Sequence, residues 1–282
     1  MILKSYKIVA QQKNIKIING LMKKIKFITV LLLLITVSKS FSQSKSKVVT
    51  PTREITEEFY DAVLANNTQK AIKMLGTTFP AKYEPKGKIT PLEAAIWQNN
   101  LTLVKALVEG GANINNTVEA AKGDDSTTSA VESAVGKDTI EILKYLLSKG
   151  GDISGSAFNT ASFDHSYDSA KLLLLKGANQ DKGDIRGKLW MYEEAVRKSD
   201  YEVLNALKLN KDELNSHNYD GQTPLIIAVK KNNLEMVKYL LKRGVDKNKP
   251  ETFDAGDDIS YGKKPIQIAT KMKFTEMVKL LK

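Results

Sequence analysis

The chain repeats itself, and no other feature limits its possible folds as strongly. Gln222-Thr223-Pro224-Leu225-Ile226-Ile227-Ala228-Val229 is echoed by Ile89-Thr90-Pro91-Leu92-Glu93-Ala94-Ala95-Ile96 and by Lys264-Pro265-Ile266-Gln267-Ile268-Ala269. Taking the shared alanine as a register mark gives Ala62, Ala95, Ala134, Ala161, Ala195, Ala228 and Ala269, at spacings of 33, 39, 27, 34, 33 and 41. Nine residues past each mark stand Ala71, Val104, Leu143, Ala170, Leu204, Val237 and Val278; twelve past stand Met74, Leu107, Leu146, Leu173, Leu207, Leu240 and Leu281. Three apolar columns kept over seven copies require one structural unit used seven times, and one such unit cannot bury its apolar stripe alone.

Each unit has a physical reading. Thr223 suits the N-cap of a first helix and Pro224 its first turn, where a missing N–H costs nothing. The register alanine is small because two helices must approach there. The polar turn Lys231-Asn232-Asn233 breaks the helix, and Leu234, Val237, Leu240 and Leu241 carry the three-to-four spacing of a second, amphipathic helix. Gly244, like Gly111, Gly150 and Gly177, falls just past that helix, where a left-handed residue ends it.

These residues resemble the ankyrin repeat: Thr223-Pro224-Leu225 with Ala228, Leu234-Glu235-Met236-Val237-Lys238-Tyr239-Leu240-Leu241, and Gly244-Val245-Asp246. The resemblance covers residues 54–282. It implies an all-α ankyrin solenoid of about seven stacked helix-turn-helix units, near 54–85, 86–122, 126–153, 154–185, 186–217, 218–250 and 260–282. Finger-like hairpins would join the units, and the fingers and first helices would line a concave face. The unit around Ala195 departs from the pattern, with Trp190-Met191 in place of Thr-Pro and Lys211 in place of the terminating glycine, so its turn is expected to be altered. The two long intervals add Gly123 to Thr128 and Pro250 to Ser260 in finger connections. Their aspartates lack the spaced ligands and bidentate Glu of a calcium loop and read as solvated acidic loops.

The formal net charge of +11 needs to be located before it is used. Residues 1–42 hold eight lysines and no acid, so the other 240 residues carry only +3. Met22-Lys23-Lys24-Ile25-Lys26, the eleven-residue apolar run Phe27–Val37, and the small residues Ser40 and Ser42 have the layout of a secretory signal peptide. Cleavage is expected between Ser42 and Gln43, residues 1–21 would be an upstream extension, and 43–53 a linker. The apolar run is too short for a membrane span, which takes about 20 residues. An exported chain, periplasmic or secreted and with no transmembrane anchor, is the expectation. With no cysteine it must be held by its core alone.

Little here suggests catalysis. The two histidines, His165 and His217, read as turn or exposed residues outside any metal spacing, and Glu193-Glu194 and Glu57-Glu58 as solvated helix positions. No enzyme activity, cofactor or metal is expected. Function is expected instead at the columns just past the register alanine, which the ankyrin resemblance places on the concave face. Two residues past it stand Leu64, Trp97, Gly136, Phe163, Arg197, Lys230 and Lys271; the next column reads Ala65, Gln98, Lys137, Asp164, Lys198, Lys231 and Met272. Trp97 and Phe163 are candidate anchors. Lys137, Arg197, Lys198, Lys230, Lys231 and Lys271 are candidate cations, and Tyr219 and Gln222 join them from the finger ahead of Thr223.

The expected partner is a protein offering an apolar anchor site beside an acidic patch, bound by a monomer. An inhibitor or immunity-type partner of an exported enzyme is one variant. An anionic polymer or surface is the alternative. Nucleic acid fits poorly, because there are only four arginines. The register itself is testable: Ala228→Leu is expected to overpack the helix contact and cost about 1–3 kcal/mol in urea unfolding, with Lys231→Leu close to neutral. Equal losses would place the register wrongly.

Overall fold

The apolar columns of the sequence lie on helices, with Ala134 and Leu207 one residue past the ends of theirs. The structure is a computed structural model that describes residues 50–85, 89–115, 117–119, 127–252 and 262–282. The expected leader and most of both acidic insertions lie outside the described residues. The first helices are α1 (Arg53–Leu64), α3 (Pro91–Trp97), α5 (Ala130–Ser133), α7 (Ala157–Phe163), α9 (Ile185–Lys198), α12 (Pro224–Lys230) and α14 (Pro265–Lys271). Their partners are α2 (Thr68–Leu75), α4 (Leu101–Glu109), α6 (Ile140–Ser148), α8 (Tyr167–Leu175), α10 (Tyr201–Ala206), α13 (Leu234–Lys242) and α15 (Thr275–Leu281), with a short extra helix α11 (Lys211–Leu214). Each first helix packs on the first helix of the next unit. All seven register alanines are buried. The fold is therefore the expected helical solenoid, with one addition: a short antiparallel ribbon of β1 (Thr117–Glu119) and β2 (Thr127–Ser129), with Val118 opposite Thr128. Its β-branched residues favour that conformation. Among the described residues, no helix is long and apolar enough to cross a membrane.

The turn between the two helices of a unit is fixed by a backbone rule. Asn66, Asn99, His165, Ser199, Asn232 and Lys273 each stand four residues past a register alanine, and each takes φ between 50° and 60°. Asparagine tolerates this left-handed state, whereas His165, Ser199 and Lys273 hold it against a cost on the order of 1 kcal/mol. The following residue caps the second helix: Asn67, Asn100, Asp200 and Asn233 accept from the N–H of Lys70, Leu103, Val203 and Met236. Those caps also bind the preceding unit. Asn100 Nδ2 donates to Asn66 Oδ1 at 2.8 Å and Thr68 Oγ1 at 2.6 Å, and Asn233 Nδ2 donates to Ser199 Oγ at 2.8 Å. Gly111, Gly150, Gly177 and Gly244 end their helices with φ of 86–93°. There the next N–H reaches back to the carbonyl of Leu107, Leu146, Leu173 or Leu240.

Two units break the pattern, and each is repaired by side chains. In the third, Gly136 stands where other first helices continue, and α5 stops at Ser133. Glycine favours leaving the helix, and Thr139 Oγ1 donates to the freed carbonyls of Ala134 (2.9 Å) and Gly136 (3.0 Å). In the fifth, the expected alteration takes a specific form: α10 ends at Ala206 with Leu207 extended, and Lys211 opens α11. The carbonyl of Ala206 accepts from Gln180 Nε2 at 3.0 Å; those of Leu204 and Leu207 accept from the Arg243 guanidinium. Side chains of the neighbouring units do the work that glycine does elsewhere. At its other end α9 starts early, capped by Asp184, and Gly187 lets it approach α7 so closely that a Cβ there would stand 2.6 Å from Asn159 O.

Asp200 concentrates several of these duties. It caps α10 and accepts from Tyr167 OH at 2.9 Å and Lys171 Nζ at 2.7 Å. Burial acts to raise its pKa, but the hydrogen bond from Lys171, then those from Val203 N–H and Tyr167, outweigh it and hold the carboxyl below the usual range. A depressed folded pKa gives stability that is complete above the unfolded value of about 3.9 and is lost as pH falls through the lower folded value. Asp200→Ala is therefore expected to cost about 1–2 kcal/mol at neutral pH. The gap from wild type should narrow in urea unfolding repeated well below the carboxylate range.

Candidate functional site

Three of the first helices end in large apolar side chains that are at least half exposed. Leu64 is 57% exposed, Trp97 60% and Phe163 50%, all at the same position, two residues past the register alanine in units one, two and four. Gly136 holds that position in the third unit and leaves a gap in the row. The Arg186 guanidinium lies 5.3 Å over the Phe163 ring. Tyr219, 81% exposed, stands on the sixth-unit finger beside Arg186. The Asp184 carboxylate first, then the Tyr219 hydroxyl, raise the pKa of Arg186 and keep it charged.

A pocket of about 280 Å³ opens between α9 and that finger. Leu189, Trp190, Pro224 and Ile227 give it apolar walls; Arg186, Glu193, His217, Tyr219 and Gln222 contribute polar groups. Glu193 is fixed by three hydrogen bonds, all on Oε1: two from Arg197 and one from Asn218 Nδ2 at 2.7 Å. Trp190 packs against the His165 ring at 4.9 Å. Tyr219 and Gln222 are thus brought together from the expected set, while Trp97 and Lys137 stand in earlier units. The pocket itself was not legible, although Trp190 marked its place by departing from Thr-Pro.

The expected basic half of this face is largely neutralised within the chain. Arg197 pairs with Glu193 and, at 3.6 Å, with Glu194. Lys198 is 4.0 Å from Glu194 and lies 5.0 Å from the centre of the Tyr167 ring. Lys230 pairs with the buried Glu251 at 2.7 Å, and Lys231 Nζ donates to Arg197 O at 3.0 Å. Of the six candidate cations, Lys137 and Lys271 lack a partner among the described residues. Glu193 and Glu194 are accordingly not solvated helix positions: both are half-buried and both engage Arg197, a pairing that their adjacent places on the helix do not reveal. The partners are Glu residues from the same helix or, for Glu251, from the next connection.

Neither histidine joins a reactive constellation. His217 Nε2 donates to Pro250 O at 2.8 Å and ties two connections together, and His165 occupies the left-handed turn position. Among the described residues, no group of three His, Cys, Asp or Glu could hold a metal ion.

Known proteins share this architecture. The family model for ankyrin repeats (3 copies) matches residues 192–282, and that for a single ankyrin repeat matches 88–118. The putative ankyrin repeat protein FPV230 of fowlpox virus (strain NVSL) is 32% identical over 165 residues, 55% of this chain and 82% of the viral one. The putative ankyrin repeat protein FPV014 of the same virus is 30% identical over 156 residues, 54% of this chain and 33% of its own. Alpha-latrocrustotoxin-Lt1a of Latrodectus tredecimguttatus is 26% identical over 175 residues, 56% of this chain. The chain spans only a third of FPV014 and 12% of the toxin. The human ASB11 ankyrin repeat domain superposes with a TM-score of 0.50 at 16% identity, covering 79% of this chain and 97% of that domain. The chain belongs to the ankyrin-repeat family, whose members are modules for protein–protein interaction.

The ion pairs make a measurable difference between these cations. Arg197→Ala leaves the half-buried Glu193 carboxylate with the Asn218 hydrogen bond and no cation, and is expected to cost about 1–3 kcal/mol in urea unfolding. Lys271→Ala should stay within about 0.5 kcal/mol. Equal, small effects would mean that both cations are solvated.

Proposed function

We propose that the chain is an exported binding module that engages a protein partner through the ends of its first helices and its fingers. The observation that carries this reading is the row formed by Leu64, Trp97 and Phe163, each at least half exposed at an equivalent position. Single exposed apolar residues are ordinary, but a repeated column of them on one face is typical of an interaction surface. Aromatic anchors of this kind carry a large share of binding energy in protein interfaces. Export is supported by the cationic, apolar and small-residue succession of residues 22–42. The alternative, an anionic polymer or surface, loses support because Arg197 and Lys230 spend their charge on Glu193 and Glu251.

One preparation tests both parts. The form recovered from the envelope or secreted fraction is expected to begin at Gln43 and, when immobilised, to retain a protein from the same fraction. Retention should survive added salt and fail on Trp97→Ala. An intact Met1 would sink the export reading. Binding that collapses steeply with salt and ignores Trp97→Ala would favour the polymer.

A further inference from the structure

We infer that the pocket between the fifth and sixth units receives one basic side chain, an arginine or a lysine, from the protein partner. The inference rests on the protein-binding reading above and names what its partner must present. Size is the first argument. At about 280 Å³ the pocket falls just below the usual range for small-molecule sites, roughly 300–1,000 Å³, and suits a single long side chain.

The walls are the second argument. Leu189, Trp190, Pro224 and Ile227 would cover the aliphatic stem of a long cationic side chain. Trp190 and Tyr219 supply the aromatic faces that attract its charged head.

Charge decides the sign of the occupant. The lining cation Arg186, and Arg197, which holds the lining Glu193, are both already paired. Arg186 donates through Nε and Nη2 to Asp184, and Arg197 is held by Glu193 and Glu194. An incoming carboxylate would have to break one of these pairs. Acceptors, by contrast, remain. Every hydrogen bond to Glu193 from the described residues ends on Oε1, so Oε2 is left for an incoming donor. The Gln222 side chain makes no hydrogen bond among the described residues. The unspent capacity of the pocket thus favours a hydrogen-bonding cation over the acidic side chain that the lysine column alone suggested.

The test uses a display library of random peptides selected against the immobilised full chain. Enriched peptides are expected to share an arginine or lysine at one position. Replacing it by uncharged citrulline or norleucine should weaken binding about tenfold or more, the effect of one lost charge-assisted contact. Glu193→Gln in the chain should weaken the same peptides by a similar factor, with an unchanged circular-dichroism spectrum. Because Glu193 also holds Arg197, Tyr219→Ala and Gln222→Ala provide a second arm at positions outside the core, and each should weaken the basic peptides several-fold. Peptides that bind without a shared basic position, or that ignore both Tyr219→Ala and Gln222→Ala, overturn the inference and leave the protein-binding reading standing. A library from which no peptide is enriched overturns both.

Discussion

Everything in this molecule depends on how closely one first helix can approach the next. The seven register alanines on or next to these helices are all buried. A larger side chain there would force the layers apart. Because no unit encloses its own apolar stripe, the core exists only as a set of interfaces between neighbours, and stability is a sum of unit and interface contributions. The polar bonds across each interface follow from that geometry. Close stacking places the cap of one unit against the turn of the preceding one, so Asn100 meets Asn66, and Asn233 meets Ser199. It likewise brings Tyr60 OH to Ile89 O at 2.6 Å and Tyr239 OH to Asn205 Oδ1 at 2.8 Å.

The parts of the fold legible in the sequence are those encoded within a single unit. Thr223 caps its helix through the N–H of Ile226, and Gly244 takes the left-handed state that ends the second helix, because both depend on neighbours a few residues away. What could not be read is encoded across units. Nothing near Lys211 tells that Arg243 and Gln180 will satisfy the carbonyls left by a missing glycine, since those bonds span 26 to 39 residues. The early end of α5 had a local signal in Gly136, but the repair by Thr139 depends on the turn that results. At the candidate site, Trp97 and Phe163 were legible as exposed because column position fixes which way a helical residue faces. The ion pairs were not, because a column shows where a lysine sits and not what faces it.

The charge argument changes with each level of description. A formal +11 describes the whole chain, +3 remains beyond residue 42, and on the columns past the register alanine Arg197 and Lys230 are answered by carboxylates. Partly exposed pairs of this kind add little stability. Their larger effect is to remove local field: a face whose cations are paired at short range steers an anionic ligand weakly. That shifts the weight of recognition from charge to the apolar row and to the pocket beside it.

The pocket owes its existence to the irregularity of the fifth unit. Without a Thr-Pro start, α9 begins at Ile185 and runs for 14 residues, where α3, α7, α12 and α14 have seven. The added turns carry Arg186 and Leu189 to the pocket wall. Without the terminating glycine, the chain forms α11 and then Ser216 to Gln222, whose finger supplies the opposite wall. Both departures weaken the local rule: the early start relies on the Asp184 cap, and the missing glycine on Gln180 and Arg243 of the neighbouring units. A sequence that keeps such departures at one place, and nowhere else in the inner units so strongly, spends stability where the regular solenoid would present only a smooth face. Glu193 fits the same pattern: its Oε1 is committed to holding Arg197 and Asn218, which leaves Oε2 without a hydrogen bond among the described residues.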